Sequence, residues 1–361
     1  MRTVINQGFV IDPKNKINSK LNLAIENGKI IEISHRELQG DIILDAKDLI
    51  VTPGFIDIHM HEGQYDTIHN RFNTEAFNSM VKMGVTTAIG GNCGAGPEDP
   101  ELYLEAVDHL GLPLNFGLLL SHSVLRQKVQ EKNKYKNASN ENIKKMSKLA
   151  ENYLSKGCIG ISFGIRYIPG ITKEELFSIA KTAQKDNKMV AAHIRDDAKN
   201  VIPSAREFFK VGEELGIPLQ MSHIGSMGAY GQMERLLSFI DSCKAKGLNL
   251  GVDCYPYNAF STALGQTTFD EGFLERYQID YNRIEIAEGN YKGQRLTKEL
   301  FFKLREKEPS LSTIGHVMKG EEVDMAMIHP GICVASDGFL HHLEGHPRVS
   351  GTFPRFIKKY R

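Results

Sequence analysis

Residues 55–61 read Phe-Ile-Asp-Ile-His-Met-His, and the pattern of the chain changes at this segment. Before it, residues 1–52 hold short apolar runs separated by turn signals, among them Asn27-Gly28, a dipeptide typical of tight hairpins. After it, strand-like apolar runs alternate with helical stretches, which predicts βα units around a parallel sheet. We therefore expect a small β domain over residues 1–52 and an α/β domain over residues 53–361.

The second part contains eight strand-like runs, which fits a TIM-like (β/α)8 barrel better than an open doubly wound sheet. The open sheet remains an alternative, because a count of strands does not show closure. Residues 262–310 are too long for one crossover and predict an insertion or lid. The Lys- and Asn-rich run 126–145 predicts a solvated loop and helix face. The eight runs end near His61, Asn92, Ser121, Ile165, Arg195, Ile224, Tyr257 and Asp337.

Composition excludes several classes of protein. The 44 Lys+Arg residues balance 44 Asp+Glu residues, so a zero net charge gives no support for binding to nucleic acid or to an anionic membrane. No apolar run approaches the roughly 20 residues of a membrane span, and the start of the chain has no signal-peptide pattern. Five irregularly spaced cysteines are typical of a reduced, cytoplasmic protein. We expect a cytoplasmic protein that acts on a small molecule; the sequence does not indicate its oligomeric state.

Candidate metal ligands stand at the carboxyl ends of the predicted strands, where the loops of a barrel converge. His59 and His61 lie two apart on a strand, so they face the same space, and a divalent metal would pair them. Singly, each candidate has an ordinary structural explanation, since His-x-His arises by chance and a lone cysteine is usually a small buried side chain. Together, their N, S and O atoms suit zinc. The strand-end set is His59, His61, Cys93, His193, His223 and Asp337.

Motifs along nearly the whole chain resemble those of the amidohydrolase superfamily and, within it, of the N-acyl-D-amino-acid deacylases (D-aminoacylases). Most amidohydrolases place a carbamylated lysine or a glutamate between their metals, and the cysteine in Gly91-Asn92-Cys93-Gly94 narrows the resemblance to this branch. The matching segments are residues 52–57 with 59–61, 91–94, 160–164 with 167–170, 192–195, 222–223, 253–257, 336–338, 346–348 and 351–355.

The resemblance implies a TIM-like (β/α)8 barrel of the amidohydrolase type with a small N-terminal β-sheet (β-sandwich) domain. It also implies zinc as the cofactor, with one ion bound tightly and a second, weaker or empty, metal position. The tighter zinc would be held by Cys93, His193 and His223, and the second position would be lined by His59, His61 and Asp337. Asp337 would also be the catalytic general base and acid. The residues that match substrate contacts of the family are Tyr167, Tyr255, Ser261 and Arg348.

The chain departs from the family pattern in two places. The family has a lysine two residues after its second single histidine, where this chain has Gly225, so a positive group that helps to hold the substrate carboxylate is missing. Family chains also continue past the motif at 351–355 into a last helix and strands that complete the small sheet. Because this chain stops at Arg361, we expect it to be C-terminally short, with an apparently incomplete fold and an N-terminal sheet that exposes apolar edge surface.

The resemblance implies zinc-dependent hydrolysis of N-acyl-D-amino acids to a carboxylate and a free D-amino acid. A cyclic-amide hydrolase or a deaminase of the same superfamily is the alternative that Gly225 favours. A truncated, non-catalytic amidohydrolase-like protein is the alternative that the short C-terminus favours. The sequence does not indicate which acyl group or amino acid is preferred.

Overall fold

The computed structural model describes residues 1–360 and divides into two compact units, Met1–Phe55 and a unit that begins at Ile56. The strands of the first unit are β1 (Arg2–Asp12), β2 (Ile17–Glu26), β3 (Lys29–Ser34), β4 (Ile42–Asp45) and β5 (Ile50–Val51). They form one sheet in the order β3-β2-β1-β4, with β5 also paired to β1. The pairing is antiparallel from β1 to β2 and parallel from β1 to β4.

The hairpin from β2 to β3 follows the turn that the sequence predicts. Asn27 and Gly28 both adopt positive φ, 49° and 72°, as the two central residues of a type I′ turn require. The edge strands β3 and β4 expose apolar side chains, such as Ile31 at 50% and Ile43 at 53%. The sheet therefore presents apolar surface at both edges of its main path.

The second unit is built from strands that alternate with helices. Its strands are β6 (Phe55–Asp57), β7 (Tyr65–Asp66), β8 (Arg71–Phe72), β9 (Val85–Gly90), β10 (Asn115–Ser121), β11 (Gly160–Gly164), β12 (Met189–His193), β13 (Leu219–Met221), β14 (Leu250–Cys254), β15 (Phe260–Ala263), β16 (Ile284–Ile286), β17 (Ser312–Gly315) and β18 (Cys333–Val334). Its helices are α1 (Glu75–Lys82), α2 (Pro100–Leu110), α3 (His122–Lys128), α4 (Asn140–Ser155), α5 (Lys173–Ala180), α6 (Val201–Leu215), α7 (Ile224–Gly228), α8 (Met233–Ala245), α9 (Phe273–Tyr277), α10 (Lys298–Lys307), α11 (Gly320–Met327) and α12 (Arg348–Lys359).

Within residues 1–360, eight strands form a barrel in the order β18-β14-β13-β12-β11-β10-β9-β6. The segments that follow β6 and β18 join the two ends of this order. The Asp337 amide donates to the His59 carbonyl at 2.8 Å, and the His61 amide donates to the Gly338 carbonyl at 2.9 Å. The predicted barrel is therefore confirmed, and the open sheet is wrong, because these bonds leave the terminal strands paired.

Local sequence explains where several helices begin. Ser139, Thr172 and Thr297 precede α4, α5 and α10, and each side-chain oxygen accepts a hydrogen bond from the backbone N–H three residues later. Helix α2 begins with Pro100 at its first position, where the missing N–H costs nothing. The residues of the barrel strands β11, β12 and β13 are buried, except for the half-buried Met189.

The insertion predicted over residues 262–310 is confirmed. Between β14 and β18 the chain forms a three-stranded antiparallel sheet in the order β15-β17-β16, together with α9 and α10. The insertion therefore has a hydrogen-bonded framework of its own, and its strand residues Ser261, Thr262 and Ser312 line a cavity that reaches the strand ends.

The run 126–145 is not wholly the solvated segment that its composition predicts. Arg126 is only 2% exposed, and its Nη1 lies 3.2 Å from Glu175 Oε1, which is itself fully buried. His122 Nε2 lies 2.9 Å from the same oxygen. The prediction failed at Arg126 because the carboxylate that makes its burial tolerable lies 49 residues further along the chain.

We expect Arg126→Met to lower the free energy of unfolding by about 3–5 kcal/mol, because Glu175 becomes a buried charge without its guanidinium partner. The double variant Arg126→Met/Glu175→Gln should lose clearly less than the sum of the two single variants. Urea unfolding followed by circular dichroism measures all three. Additive losses would show that the two side chains do not stabilise the fold as a pair.

Candidate metal centre

The structure brings together all six strand-end residues that the sequence selects. They form two groups that share Cys93, and within each group the ligand atoms lie within 4.8 Å of one another. The first group is Cys93, His193 and His223, and the second is His59, His61, Cys93 and Asp337. Since His61 and Asp337 are 276 residues apart in the sequence, the barrel places them side by side.

The spacing in the first group fits a tetrahedral zinc ion. Cys93 Sγ lies 3.2 Å from His223 Nε2 and 3.9 Å from His193 Nδ1. Tetrahedral zinc, with a Zn–S bond of about 2.3 Å and Zn–N bonds of about 2.0 Å, separates sulfur from nitrogen by about 3.5 Å. The two measured distances lie on either side of this value.

The second group has similar spacing with an added carboxylate. Asp337 Oδ1 lies 3.1 Å from His61 Nε2 and 3.5 Å from His59 Nε2. Cys93 Sγ lies 3.4 Å from His59 Nε2. One thiol can therefore serve both groups, so the donor set has the chemistry of a mononuclear or a bridged dinuclear site.

Charge and burial favour the cation-binding forms of Cys93, His193 and Asp337, whereas the contacts of His61 with Asp337 and Cys93 outweigh its burial and raise its pKa to about 9. Burial by itself raises the pKa of the Cys93 thiol, but the imidazoles of His223 and His59 hold it well below its usual range, so the thiolate is favoured. Burial lowers the pKa of His193 to about 4, which keeps that ring neutral. Burial works against ionised Asp337, yet Arg348 and His61 hold its pKa well below its usual range. A thiolate, a neutral imidazole and a carboxylate are the ligand states that zinc requires.

Three of the cluster residues turn the chain sharply where their strands end. Cys93, His223 and Asp337 have φ values of 55°, 34° and 49°, in the left-handed region that residues with a side chain rarely adopt. Each such residue costs on the order of 1–3 kcal/mol and persists only where the surrounding structure enforces it. The left-handed turns occur at the shared ligand Cys93 and at one ligand of each group, and no sequence pattern signals them.

Outer partners fix the orientation of the imidazoles. Asp253 is 1% exposed; its Oδ1 accepts the His223 amide at 2.7 Å and lies 3.3 Å from His59 Nδ1. Ser226 Oγ lies 2.9 Å from His223 Nδ1. In each case the other ring nitrogen faces the cluster. Neither residue was predicted to have a role, although Asp253 lies near the carboxyl end of β14, as the ligands do at the ends of their strands.

A cavity of about 460 Å³ reaches the cluster through His61, Cys93 and Asp337. Three of the residues implied as substrate contacts, Tyr167, Ser261 and Arg348, line this cavity. The fourth, Tyr255, is 1% exposed, and the Arg348 guanidinium lies 4.8 Å from the centre of its ring. Tyr255 therefore packs against Arg348 and is not itself among the residues that line the cavity.

Arg348 faces the carboxylate of the cluster. Its Nη1 lies 2.8 Å from Asp337 Oδ2, and the side chain is 4% exposed. Within the described residues, its Nε is buried without a hydrogen-bond partner. A buried guanidinium with an unused donor is suited to an additional anion.

The position of the family lysine, Gly225, is tightly packed. A Cβ at this position would lie 3.0 Å from Cys254 Sγ and 3.1 Å from Met318 Cε. Both neighbours are buried. The departure seen in the sequence is therefore accompanied by apolar packing that fills the position.

The model of the amidohydrolase family matches residues 50–230 of the chain. The chain is 28% identical over 391 residues to the D-aminoacylase of Alcaligenes xylosoxydans xylosoxydans, a match that spans 98% of this chain and 78% of that protein.

Two solved structures resemble the whole chain. One is a D-aminoacylase structure that addresses the role of the binuclear metal centre. It has a TM-score of 0.85 and 25% sequence identity, and the match covers 98% of this chain and 79% of that chain. The other is an N-acyl-D-glutamate deacylase from Bordetella bronchiseptica complexed with zinc and a phosphonate mimic of the tetrahedral intermediate. It has a TM-score of 0.86 and 24% sequence identity, and the match covers 99% of this chain and 81% of that chain. At this identity the match shows that the two proteins share a fold.

None of the helices within residues 1–360 combines the length and the apolar character that a membrane crossing requires.

We expect Asp253→Asn to weaken zinc binding by about 10- to 100-fold, because the side-chain amide lacks the charge that orients the His59 ring and accepts the His223 backbone amide less strongly. Competition with a chromogenic chelator measures the affinity. Asp241→Asn is the matched control, because Asp241 is an exposed residue of α8 that also contacts a histidine, His329. Equal zinc affinity in both variants and the unaltered protein would refute the role of Asp253.

Proposed function

The chain belongs to the amidohydrolase family, and from this premise we propose that it hydrolyses N-acyl-D-amino acids to a carboxylate and a free D-amino acid. The observation that carries the proposal is the shared cysteine of the two ligand groups, set beside a cavity that also holds Arg348. The similarity to D-aminoacylase over 98% of the chain supports the same chemistry.

We propose that Cys93, His193 and His223 hold the tighter metal ion and that His59, His61 and Asp337 line a second, weaker position. The mixed S, N and O donors and their spacing support zinc. When bound, zinc supplies Lewis acidity that lowers the pKa of water toward about 7 and polarises the scissile carbonyl.

Asp337 is the residue proposed to move the proton. The contact with Arg348 keeps the Asp337 carboxylate ionised. This carboxylate accepts a proton from the attacking water while the water oxygen forms a bond to the amide carbon. The same carboxyl then gives that proton to the leaving nitrogen as the C–N bond breaks. A substrate carboxylate that binds Arg348 partly neutralises the guanidinium. Substrate binding therefore raises the pKa of Asp337 and makes its carboxylate a stronger base.

The remaining cavity residues orient the substrate. Burial raises the pKa of Tyr167 well above its usual value, so its hydroxyl stays protonated and can donate to the developing oxyanion. Arg348 has donors left for the carboxylate of the amino acid, and Ser261 offers a hydroxyl on β15. Tyr255, which lies against the guanidinium, holds Arg348 in place.

A second candidate function is hydrolysis of a cyclic amide by the same cluster. It is favoured by the packing of Cys254 and Met318 at Gly225, because a substrate without a free carboxylate needs no lysine there. Assays with hydantoins and dihydropyrimidines beside N-acetyl-D- and N-acetyl-L-amino acids separate the two. Turnover of the D-amino-acid derivatives alone supports the first candidate, and turnover of the cyclic amides alone supports the second.

We expect Asp337→Asn to lower kcat by at least about 10³-fold, because the amide cannot accept the proton of water. The zinc content of the purified variant, measured by atomic absorption, should stay at one ion or more per chain. Ser336→Ala, a change at the adjacent buried position, is the control for local disruption. Hydrolysis at the original rate with normal zinc content would rule out Asp337 as the base.

A further inference from the structure

One cation of the cavity wall is left without a carboxylate. Lys134 belongs to the loop between α3 and α4, lines the cavity and is partly buried. Its Nζ lies 3.5 Å from the carbonyl oxygen of Gly265, at the edge of a hydrogen bond. The Nζ atom also lies 5.4 Å from the centre of the Tyr135 ring. A partly buried ammonium without an ion pair attracts an anion more strongly than one in water.

The carboxylates near Lys134 are engaged elsewhere. Asp270 Oδ1 lies 2.6 Å from Arg305 Nη2, and its Oδ2 accepts the Tyr135 hydroxyl at 2.7 Å. Glu131 Oε1 accepts the Asn142 side-chain amide at 2.8 Å, next to the start of α4. The charge of Asp270 still acts on Lys134, but within residues 1–360 neither carboxylate forms an ion pair with it.

The other cations of the cavity are neutralised or exposed. Arg126 is paired with Glu175, and Arg348 is paired with Asp337. Lys132 also lines the cavity, but it is exposed to solvent, which screens its charge. Among the described lysines and arginines of the cavity wall, Lys134 is therefore the partly buried one without an ion pair.

The loop that carries Lys134 is held in place by its backbone. The Gly170 amide donates to the Lys134 carbonyl at 2.9 Å, and Arg126 Nη2 donates to the Lys136 carbonyl at 2.7 Å. The Tyr135 side chain ties the loop to the insertion through Asp270. The ammonium is thus presented by a fixed backbone, so less conformational entropy is lost when an anion binds.

We propose that Lys134 is a specificity-determining residue that binds a second carboxylate of the substrate, in addition to the carboxylate at Arg348. The inference rests on the proposed function and narrows it to doubly anionic N-acyl-D-amino acids. The second carboxylate belongs either to the side chain of the amino acid or to the acyl chain, since both carry the same chemistry. Burial lowers the pKa of Lys134, a cost that a bound carboxylate would offset.

The test compares Lys134→Met with the unaltered holoenzyme on two matched substrate pairs. N-acetyl-D-glutamate and N-acetyl-D-glutamine differ only in the charge of the side chain, and N-succinyl-D-leucine and N-succinamoyl-D-leucine differ only in the charge of the acyl chain. We expect kcat/KM for the anionic member of one pair to fall about tenfold or more, mainly through KM, while its neutral partner changes less than about twofold. The pair that responds identifies the source of the carboxylate.

Two further variants control for structure and for overall charge. Lys136→Met removes the same charge from the same loop at an exposed position, and it should leave both preferences unchanged. Lys134→Arg keeps the charge and should retain most of the preference. An unchanged preference in Lys134→Met, or an equal loss in Lys136→Met, overturns the assignment.

Binding of glutarate, measured by calorimetry, separates this inference from the proposed function. We expect Lys134→Met to weaken glutarate binding about tenfold, whether or not any amide is hydrolysed. If no N-acyl-D-amino acid is hydrolysed but this loss is found, the proposed function fails and Lys134 remains an anion-binding residue. Equal glutarate affinity in the two proteins refutes the role of Lys134.

Discussion

The pairing of the first and last barrel strands is the constraint on which the site depends. Two backbone hydrogen bonds join the segment His59–His61 to Asp337 and Gly338. They close the ring of strands and set the carboxylate of Asp337 beside the two imidazoles of the opposite end. Because a one-residue slip in a strand turns its side chains to the other face, this register also selects which residues meet in the cluster.

The cluster gathers polar groups in the protein interior, where the loss of hydration destabilises each of them. Thiol, imidazoles and carboxylate compensate one another, and Asp253 contacts the ring of His59 and accepts the backbone amide of His223. Left-handed turns at Cys93, His223 and Asp337 add backbone strain at the same point. Strain and buried charge persist together only if the surrounding barrel is rigid, which the buried βα framework provides.

The wall of the cavity comes from parts of the chain outside the barrel strands. The insertion contributes Ser261 from β15, and the loop before α4 contributes Lys134. The buried pair of Arg126 and Glu175 holds that loop through the Lys136 carbonyl. The metal ligands and these two wall residues thus belong to different segments of the chain. Substitutions at Ser261 or Lys134 can therefore alter the cavity without altering the metal ligands.

The sequence by itself determined the element types and the six strand-end candidates and favoured a barrel over an open sheet, because the spacing of apolar residues along a strand or a helix is a local property. It left the outer partner Asp253 without a role and described Arg126 as solvated. Only the tertiary structure decided those two, together with the pairing of Arg348 with Asp337 and the isolation of Lys134. Each depends on side chains that lie far apart in the chain. Their distances and burial follow from packing, which no local pattern encodes.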